Sequence, residues 1–168
     1  MQFGQDSTSP TTRISKRNTG QLKGYGVRFP PQIQQFVHSI VNVESDGHCG
    51  FCMIAGLLGM SEHNWRDIRY NLIGELQYFC VQYMQLYKSD TRADKLLHIL
   101  YFFDDITPYK HWMTLPDIGH LIASKYNVIL VHLSRIQCLT YLPLRSIHPL
   151  AVQQRMITIG FVNNYHFV

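Results

Sequence analysis

The chain of 168 residues is long enough for one domain with a hydrophobic core and too short for two domains of ordinary size. Hydrophobic residues make up 46% of it and aromatic residues 12%, which excludes a largely disordered protein. No apolar run approaches the roughly 20 residues that span a bilayer, so we expect no membrane segment. The start, MQFGQDSTSP, lacks the basic and apolar regions of a secretion signal. We therefore expect a cytoplasmic or nuclear protein whose cysteines are thiols.

The formal net charge of +4 originates in the N-terminal segment. Residues 1–28 contain five basic residues and one acidic residue, Asp6, which accounts for the whole excess. This segment is also poor in hydrophobic residues and rich in Ser and Thr, which is typical of a solvated tail. The sequence predicts a flexible basic tail over residues 1–30, a single domain over residues 31–168, and no specific nucleic-acid site.

Helical periodicity dominates the first two thirds of the predicted domain. Pro30 and Pro31 open a short helix that leads to a turn at Asp46, with apolar residues at helical spacing: Ile33, Phe36, Val37, Ile40 and Val41. Cys49 begins a buried helix that ends near Gly59, and Asp46 is placed to cap its free N–H groups. Ser61 is a candidate cap for the next helix, in which apolar and aromatic residues recur through Tyr87. Two further helices are predicted, one near residues 93–103 and one after Thr114 and Pro116, which form a pattern like a capping box with Asp117.

Strand-like runs fill the last third of the chain. They are VILVHLS at residues 128–134, LTYLPL at 139–144, MITIGFV at 156–162 and NNYHFV at 163–168. Helices followed by strands predict an α+β domain with the helices packed on a small mixed or antiparallel sheet.

Two cysteines in the segment ESDGHCGFC are open to different interpretations. Cys49 and Cys52 have the spacing of a redox pair in a thioredoxin-like protein or of half a zinc site. A thioredoxin-like fold requires an apolar strand directly before the first cysteine, whereas Glu44, Ser45 and Asp46 are polar here. A zinc site requires two more ligands, and no suitable pair is spaced for it. We therefore expect no metal and no cofactor, and the redox protein remains an alternative.

The third interpretation makes Cys49 a nucleophile. A helix N-terminus stabilises a thiolate, and Cys49 lies at the predicted start of a helix. A nucleophilic thiol also needs a histidine that the fold brings near it. His166, at the end of an apolar strand, is a candidate base, although a half-buried structural histidine fits the same pattern.

The residues around Cys49 also carry a resemblance to a known family. DGHCGFCMIAGLLG resembles the D-G-N-C-x-F-R motif of the OTU (ovarian tumour) cysteine proteases, HWMTLPDIGHLIASKYNVILVHL resembles the family's Trp-containing loop, helix and strand, and YHFV resembles its histidine segment. The resemblance covers roughly residues 31–168. EHNWRDIRYNLIGEL further resembles OTU-like segments of transposase-derived plant and fungal proteins.

The resemblance implies a papain-like OTU fold and a deubiquitinase, a cysteine protease that cleaves the peptide or isopeptide bond after the C-terminus of ubiquitin or a ubiquitin-like protein. It implies Cys49 as nucleophile, His166 as general base and Asp46 as the aspartate of the motif. Backbone N–H groups at Gly47 and His48 would belong to the oxyanion hole. The partner would be ubiquitin or a ubiquitin-like protein, and we expect a monomer.

Three positions depart from the family pattern. His48 stands where the family has asparagine, and Cys52 where it has arginine. Val168 stands where some members have an Asp or Asn that orients the histidine, which leads us to expect a domain shortened at its C-terminus. Asp46, Asn163 and Asn164 are the candidates for the orienting residue. The departures leave a catalytically weak or inactive ubiquitin-binding module of the OTU fold as an alternative function.

Overall fold

The computed structural model describes residues 22–145 and 154–168, and residues 1–21 of the predicted tail lie outside the described residues. The helices and strands within these ranges are α1 Leu22–Tyr25, α2 Pro31–Gln34, α3 Cys49–Leu57, α4 Trp65–Tyr78, α5 Cys80–Tyr87, α6 Asp90–Leu100, α7 Asp117–Tyr126, β1 Ile129–Ser134, β2 Leu139–Tyr141, β3 Met156–Val162 and β4 His166–Phe167. None of the described helices is both long and apolar enough to cross a membrane.

The four strands form one mixed sheet in the order β2-β1-β3-β4. β1 and β3 are parallel, with Leu130 opposite Ile157, whereas β2 and β4 pair antiparallel at the two edges. The predicted α+β architecture, with helices first and a small mixed sheet at the end, is confirmed.

The core forms around α3, which is buried on nearly all sides. Phe51, Ile54 and Ala55 are completely inaccessible to solvent, and they pack with residues of α4, α7 and the sheet such as Leu72, Leu121 and Leu130. A helix that is hydrophobic all round is expected in the interior of a domain. The first residue of α3, Cys49, is therefore held in position by the core.

The described end of the predicted tail contacts the domain. Residues 26–28 form a 3-10 turn after α1, and Phe29 is buried in a small cluster with Ile40, Val162 and Val168. These contacts place residues 24–30 beside the C-terminal strand. The boundary at residue 30 stays a prediction.

Three local predictions were wrong. The first helix ends at Gln34, and the chain from residue 38 to 45 has no helix, because Ile40 and Val43 bury their side chains from a non-helical segment. The helix predicted to continue through Tyr87 is interrupted at Phe79, where φ is −108° and ψ is 28°. The side chain of Thr114 does not cap α7, which begins after Pro116 with no side-chain cap.

The environment of the His132 imidazole on β1 is unfavourable for stability. Its exposure is 7%, and neither ring nitrogen has a hydrogen-bond partner among the described residues. Burial lowers the pKa of His132, so the unfolded chain takes up its proton at a higher pH than the folded protein does. This histidine therefore reduces stability as the pH falls below its ordinary pKa.

We expect His132→Leu to raise the free energy of unfolding by about 1 kcal/mol at pH 7.5, since a buried polar group without a partner is removed. The gain should be larger at pH 5.5, where the unfolded wild-type chain is protonated at this site. Urea unfolding of both proteins at the two pH values measures the effect. A variant less stable than wild type at both values would show that the imidazole has a favourable role.

Candidate active site

Cys49 follows a tight turn formed by Asp46, Gly47 and His48. The Asp46 carboxylate accepts a hydrogen bond from the His48 N–H at 2.7 Å, which closes the turn. Asp46 had been expected to cap the helix, and it instead bonds the residue that precedes the helix. The first N–H groups of α3, beginning at Cys49, have no intrahelical acceptor and point out of the helix start.

Gly47 is required by the packing of this turn. Its φ of +87° lies in the left-handed region that favours glycine. A Cβ added there would lie 2.5 Å from the Thr107 carbonyl oxygen and 2.6 Å from the Trp112 Nε1 atom. The loop holding these residues is itself fixed to the turn, because the Thr107 N–H donates to the Asp46 carbonyl at 3.0 Å and the Trp112 indole donates to the Thr107 carbonyl at 2.9 Å.

The Cys49 thiol is 5% exposed, and its environment has opposing effects on its pKa. Burial raises the pKa most, and the negative charge of Asp46 raises it further. Nearby backbone N–H groups, those of Phe167, Gly50 and Cys49 itself, lower the pKa in part. The N–H of Phe167 comes from β4, the strand that carries His166, so the start of α3 and β4 meet at the thiol.

Gly50 allows this close approach of α3 and β4. A Cβ at residue 50 would lie 2.5 Å from the Met113 side chain and 3.0 Å from the Phe167 ring. Only a residue without a side chain leaves both contacts undisturbed. Gly50 therefore determines how near β4 can come to the nucleophile turn.

His166 is buried, with 2% exposure, and hydrogen-bond partners lie at both of its ring nitrogens. Asn42 Oδ1 lies 2.6 Å from Nε2, and Ser45 Oγ lies 3.0 Å from Nδ1. An amide oxygen only accepts, so Nε2 carries the proton and Nδ1 has the free lone pair. Burial lowers the pKa of His166, which keeps the imidazole neutral near pH 7. Among the described hydrogen bonds, none joins His166 to the Cys49 thiol.

The structure does not bring Asn163 or Asn164 to this imidazole. Both are exposed and have positive φ, 57° and 62°, in the three-residue turn that joins β3 to β4. Asparagine tolerates that backbone region, which explains the pair of asparagines in NNYHFV. The carboxylate of Asp46 accepts from the His48 N–H. Among the described residues, the hydrogen-bond partners of the His166 ring are Asn42 and Ser45.

Cys52 lies one helical turn after Cys49 and is also buried. Burial raises the pKa of Cys52 to about 12, so this thiol stays protonated at neutral pH. Helices α3 to α6 follow one another before the first strand, whereas a thioredoxin-like fold alternates strands and helices. Within residues 22–145 and 154–168, no group of three or more His, Cys, Asp or Glu side chains could hold a metal ion.

Sequence reasoning missed Asn42, Ser45 and Thr107, which all contact the predicted site residues. One signal was present, because Asn42 is the polar residue between Val41 and Val43 in a segment that we had assigned to a helix. β-branched residues on both sides of a single polar residue favour an extended segment over a helix.

The arrangement of α3, the mixed sheet and β4 is the fold of OTU domains, as the resemblance had predicted. The OTU domain of OTUD1 superposes on this chain with a TM-score of 0.55 and 12% sequence identity, covering 81% of this chain and 87% of that domain. The viral OTU domain protease from Dera Ghazi Khan virus has a TM-score of 0.48 and 16% identity, with 77% of each chain covered. No protein-family model and no curated protein sequence matches this chain.

Proposed function

We propose that this protein is a cysteine-type deubiquitinase that hydrolyses the peptide or isopeptide bond after the C-terminus of ubiquitin or a ubiquitin-like protein. The observation that supports it most is the meeting of the α3 N-terminus and β4. The first residue of α3 is Cys49, and β4 carries His166 and Phe167, whose ring lies 3.0 Å from the position that a Cβ on Gly50 would take. A cysteine protease needs this combination of helix-start thiol and neighbouring histidine.

In this mechanism Cys49 is the nucleophile and His166 the general base. His166 Nδ1 accepts the thiol proton while the sulfur forms a bond to the carbonyl carbon. The imidazolium then returns that proton to the leaving amine as the C–N bond breaks. A water molecule, deprotonated by His166, next forms a bond to the thioester carbonyl carbon. The C–S bond then breaks, the ubiquitin carboxylate is released, and the imidazolium returns its proton to the Cys49 thiolate.

Backbone N–H groups of the turn would stabilise the oxyanion. The Cys49 N–H has no intrahelical acceptor and is the leading donor, whereas the His48 N–H already donates to Asp46. Asn42 replaces the predicted asparagines as the residue that orients the imidazole, because its amide oxygen accepts from Nε2. This bond leaves Nδ1, the nitrogen beside Ser45, to accept the proton. Before the reaction, His166 Nδ1 must break its hydrogen bond to the Ser45 hydroxyl and form one to the Cys49 thiol.

A ubiquitin whose C-terminus carries an α,β-unsaturated methyl ester, to which a thiol adds irreversibly, tests the proposal and is referred to below as the ubiquitin probe. We expect wild-type protein to form a covalent adduct, located at Cys49 by mass spectrometry, and Cys49→Ala to form none. Cys52→Ala is the matched control, since it removes a buried thiol from the same helix but should retain adduct formation. A folded protein that reacts with neither ubiquitin nor ubiquitin-like probes would contradict the proposal.

The alternative function is an inactive OTU-fold module that binds ubiquitin without cleaving it. The observations that favour it are the hydrogen bond between Nδ1 of His166 and Ser45 and the raised pKa of the Cys49 thiol. Saturable binding of unmodified ubiquitin, with no adduct from any probe, would support this alternative over the protease.

A further inference from the structure

Arg69 on α4 is a completely buried cation close to the nucleophile turn. Its guanidinium donates to the Ile99 carbonyl at 2.6 Å and to the His111 carbonyl at 2.9 Å, and it lies 4.0 Å from the centre of the Phe51 ring. None of the ion pairs among the described residues includes it. Burial lowers the pKa of Arg69 to about 10, so the group remains charged at neutral pH. A buried charge of this kind is stabilised by hydrogen-bond acceptors. The Nε atom of Arg69 has no acceptor among the described residues, so the bonds of the two Nη atoms are the ones that hold the group.

The remaining acceptor of Arg69 is the ring of His48. The Nη2 atom lies 3.2 Å from His48 Nδ1, and the imidazole Nε2 lies 2.8 Å from the Asp104 carbonyl oxygen. A guanidinium only donates and a carbonyl only accepts, so Nδ1 is unprotonated and Nε2 carries the hydrogen. These two bonds together define one neutral tautomer of His48.

Two further contacts hold this ring in place. The His48 imidazole is completely buried and stacks on Trp65, with the ring centres 3.4 Å apart. The Thr107 hydroxyl lies 2.6 Å from Nε2. The side chain of His48, the residue directly before Cys49, thus contacts both α4 and the loop that contains Asp104 and Thr107.

We propose that the His48–Arg69 pair positions the nucleophile, by fixing the turn from which the Cys49 thiol and its N–H donor project. This inference rests on the proposed function. His48 is a positioning residue, because its ring faces Arg69 and Asp104 and acts on the substrate only through Cys49. Displacements of about 1 Å at a reacting atom cost on the order of 100-fold in rate. A side chain that prevents such displacements therefore has a measurable effect on the reaction rate.

We expect His48→Ala to slow the maximal rate of adduct formation with the ubiquitin probe about 10- to 100-fold, with little change in the half-saturating probe concentration. His48→Asn should recover most of this rate, since an amide can accept from Arg69 and donate to the Asp104 carbonyl. His111→Ala is the matched control, because His111 is also buried and its carbonyl bond to Arg69 is retained. It should lower stability without changing the maximal rate.

Thr107→Val keeps the volume at the ring and removes only the hydroxyl, so it tests the proposal if His48→Ala does not fold. We expect it to slow adduct formation about threefold, by analogy with the loss of one positioning contact. An unchanged rate in every folded variant, or an equal loss in His111→Ala, would overturn the proposal.

A second measurement separates this inference from the proposed function. Iodoacetamide reacts with Cys49 without any ubiquitin binding, and the exposed Cys138 of the same chain is an internal control. Loosening the turn should expose the thiol, so alkylation of Cys49 should become faster in His48→Ala while that of Cys138 stays constant. A wild-type protein without probe adducts would refute only the proposed function. Unchanged Cys49 alkylation in the variant would refute the positioning role.

Discussion

Gly47→Ala is expected to abolish adduct formation with the ubiquitin probe and to lower the free energy of unfolding by about 3 kcal/mol. Two costs combine at this position. A left-handed φ of +87° is unfavourable for alanine, and the new methyl group would lie 2.5 Å from the Thr107 carbonyl oxygen. A carbonyl held in the backbone cannot move aside as the end of a flexible side chain can. The turn before Cys49 would have to open, and urea unfolding together with probe labelling measures both consequences.

Gly59→Ala is the control for the conformational cost alone. Gly59 has a φ of +86°, almost the same as that of Gly47, but among the described residues, its chain neighbours apart, no atom lies within 4 Å of its added Cβ. We expect a loss of about 1 kcal/mol and a normal labelling rate. If Gly47→Ala were no worse than Gly59→Ala, the close packing of the Thr107 loop on the turn would not matter for the protein.

His166→Ala is expected to react with the ubiquitin probe about 1,000-fold more slowly than wild type, since general-base catalysis contributes an effect of that order. Asn42→Ala should slow labelling about tenfold, because the base remains and only its orientation is lost. The rates are compared at saturating probe and pH 7.5. Labelling of His166→Ala at the wild-type rate would remove His166 from the mechanism.

Asn163→Gly and Asn164→Gly distinguish Asn42 from the residues that the sequence had suggested as orienters. Glycine keeps the positive φ of the turn and removes only the amide side chain. We expect both variants to label at the wild-type rate. If either variant slowed labelling as strongly as Asn42→Ala, Asn42 would not be the sole orienting residue.

Much of the fold was predictable because local patterns and tertiary packing agree. The helix that begins at Cys49 was found from its run of apolar residues, and the strands from β-branched runs such as VILVHLS. The prediction was wrong between Gln34 and Ser45, where apolar residues at helical spacing lie in a non-helical segment. Periodicity reports which residues are buried, and in a short segment it does not distinguish a helix from an extended chain packed against its neighbours.

The sequence alone was sufficient to predict the helix start at Cys49, a strand that carries His166 and the α+β class. These features follow from the local pattern of apolar, polar and β-branched residues. Only the tertiary structure determined the partners of these groups. Asn42 is 124 residues from His166, and Arg69 is 21 residues from His48. Hydrogen bonds between residues so far apart in the chain produce no periodic pattern in the sequence, because they depend on how the helices and strands pack and not on local conformation.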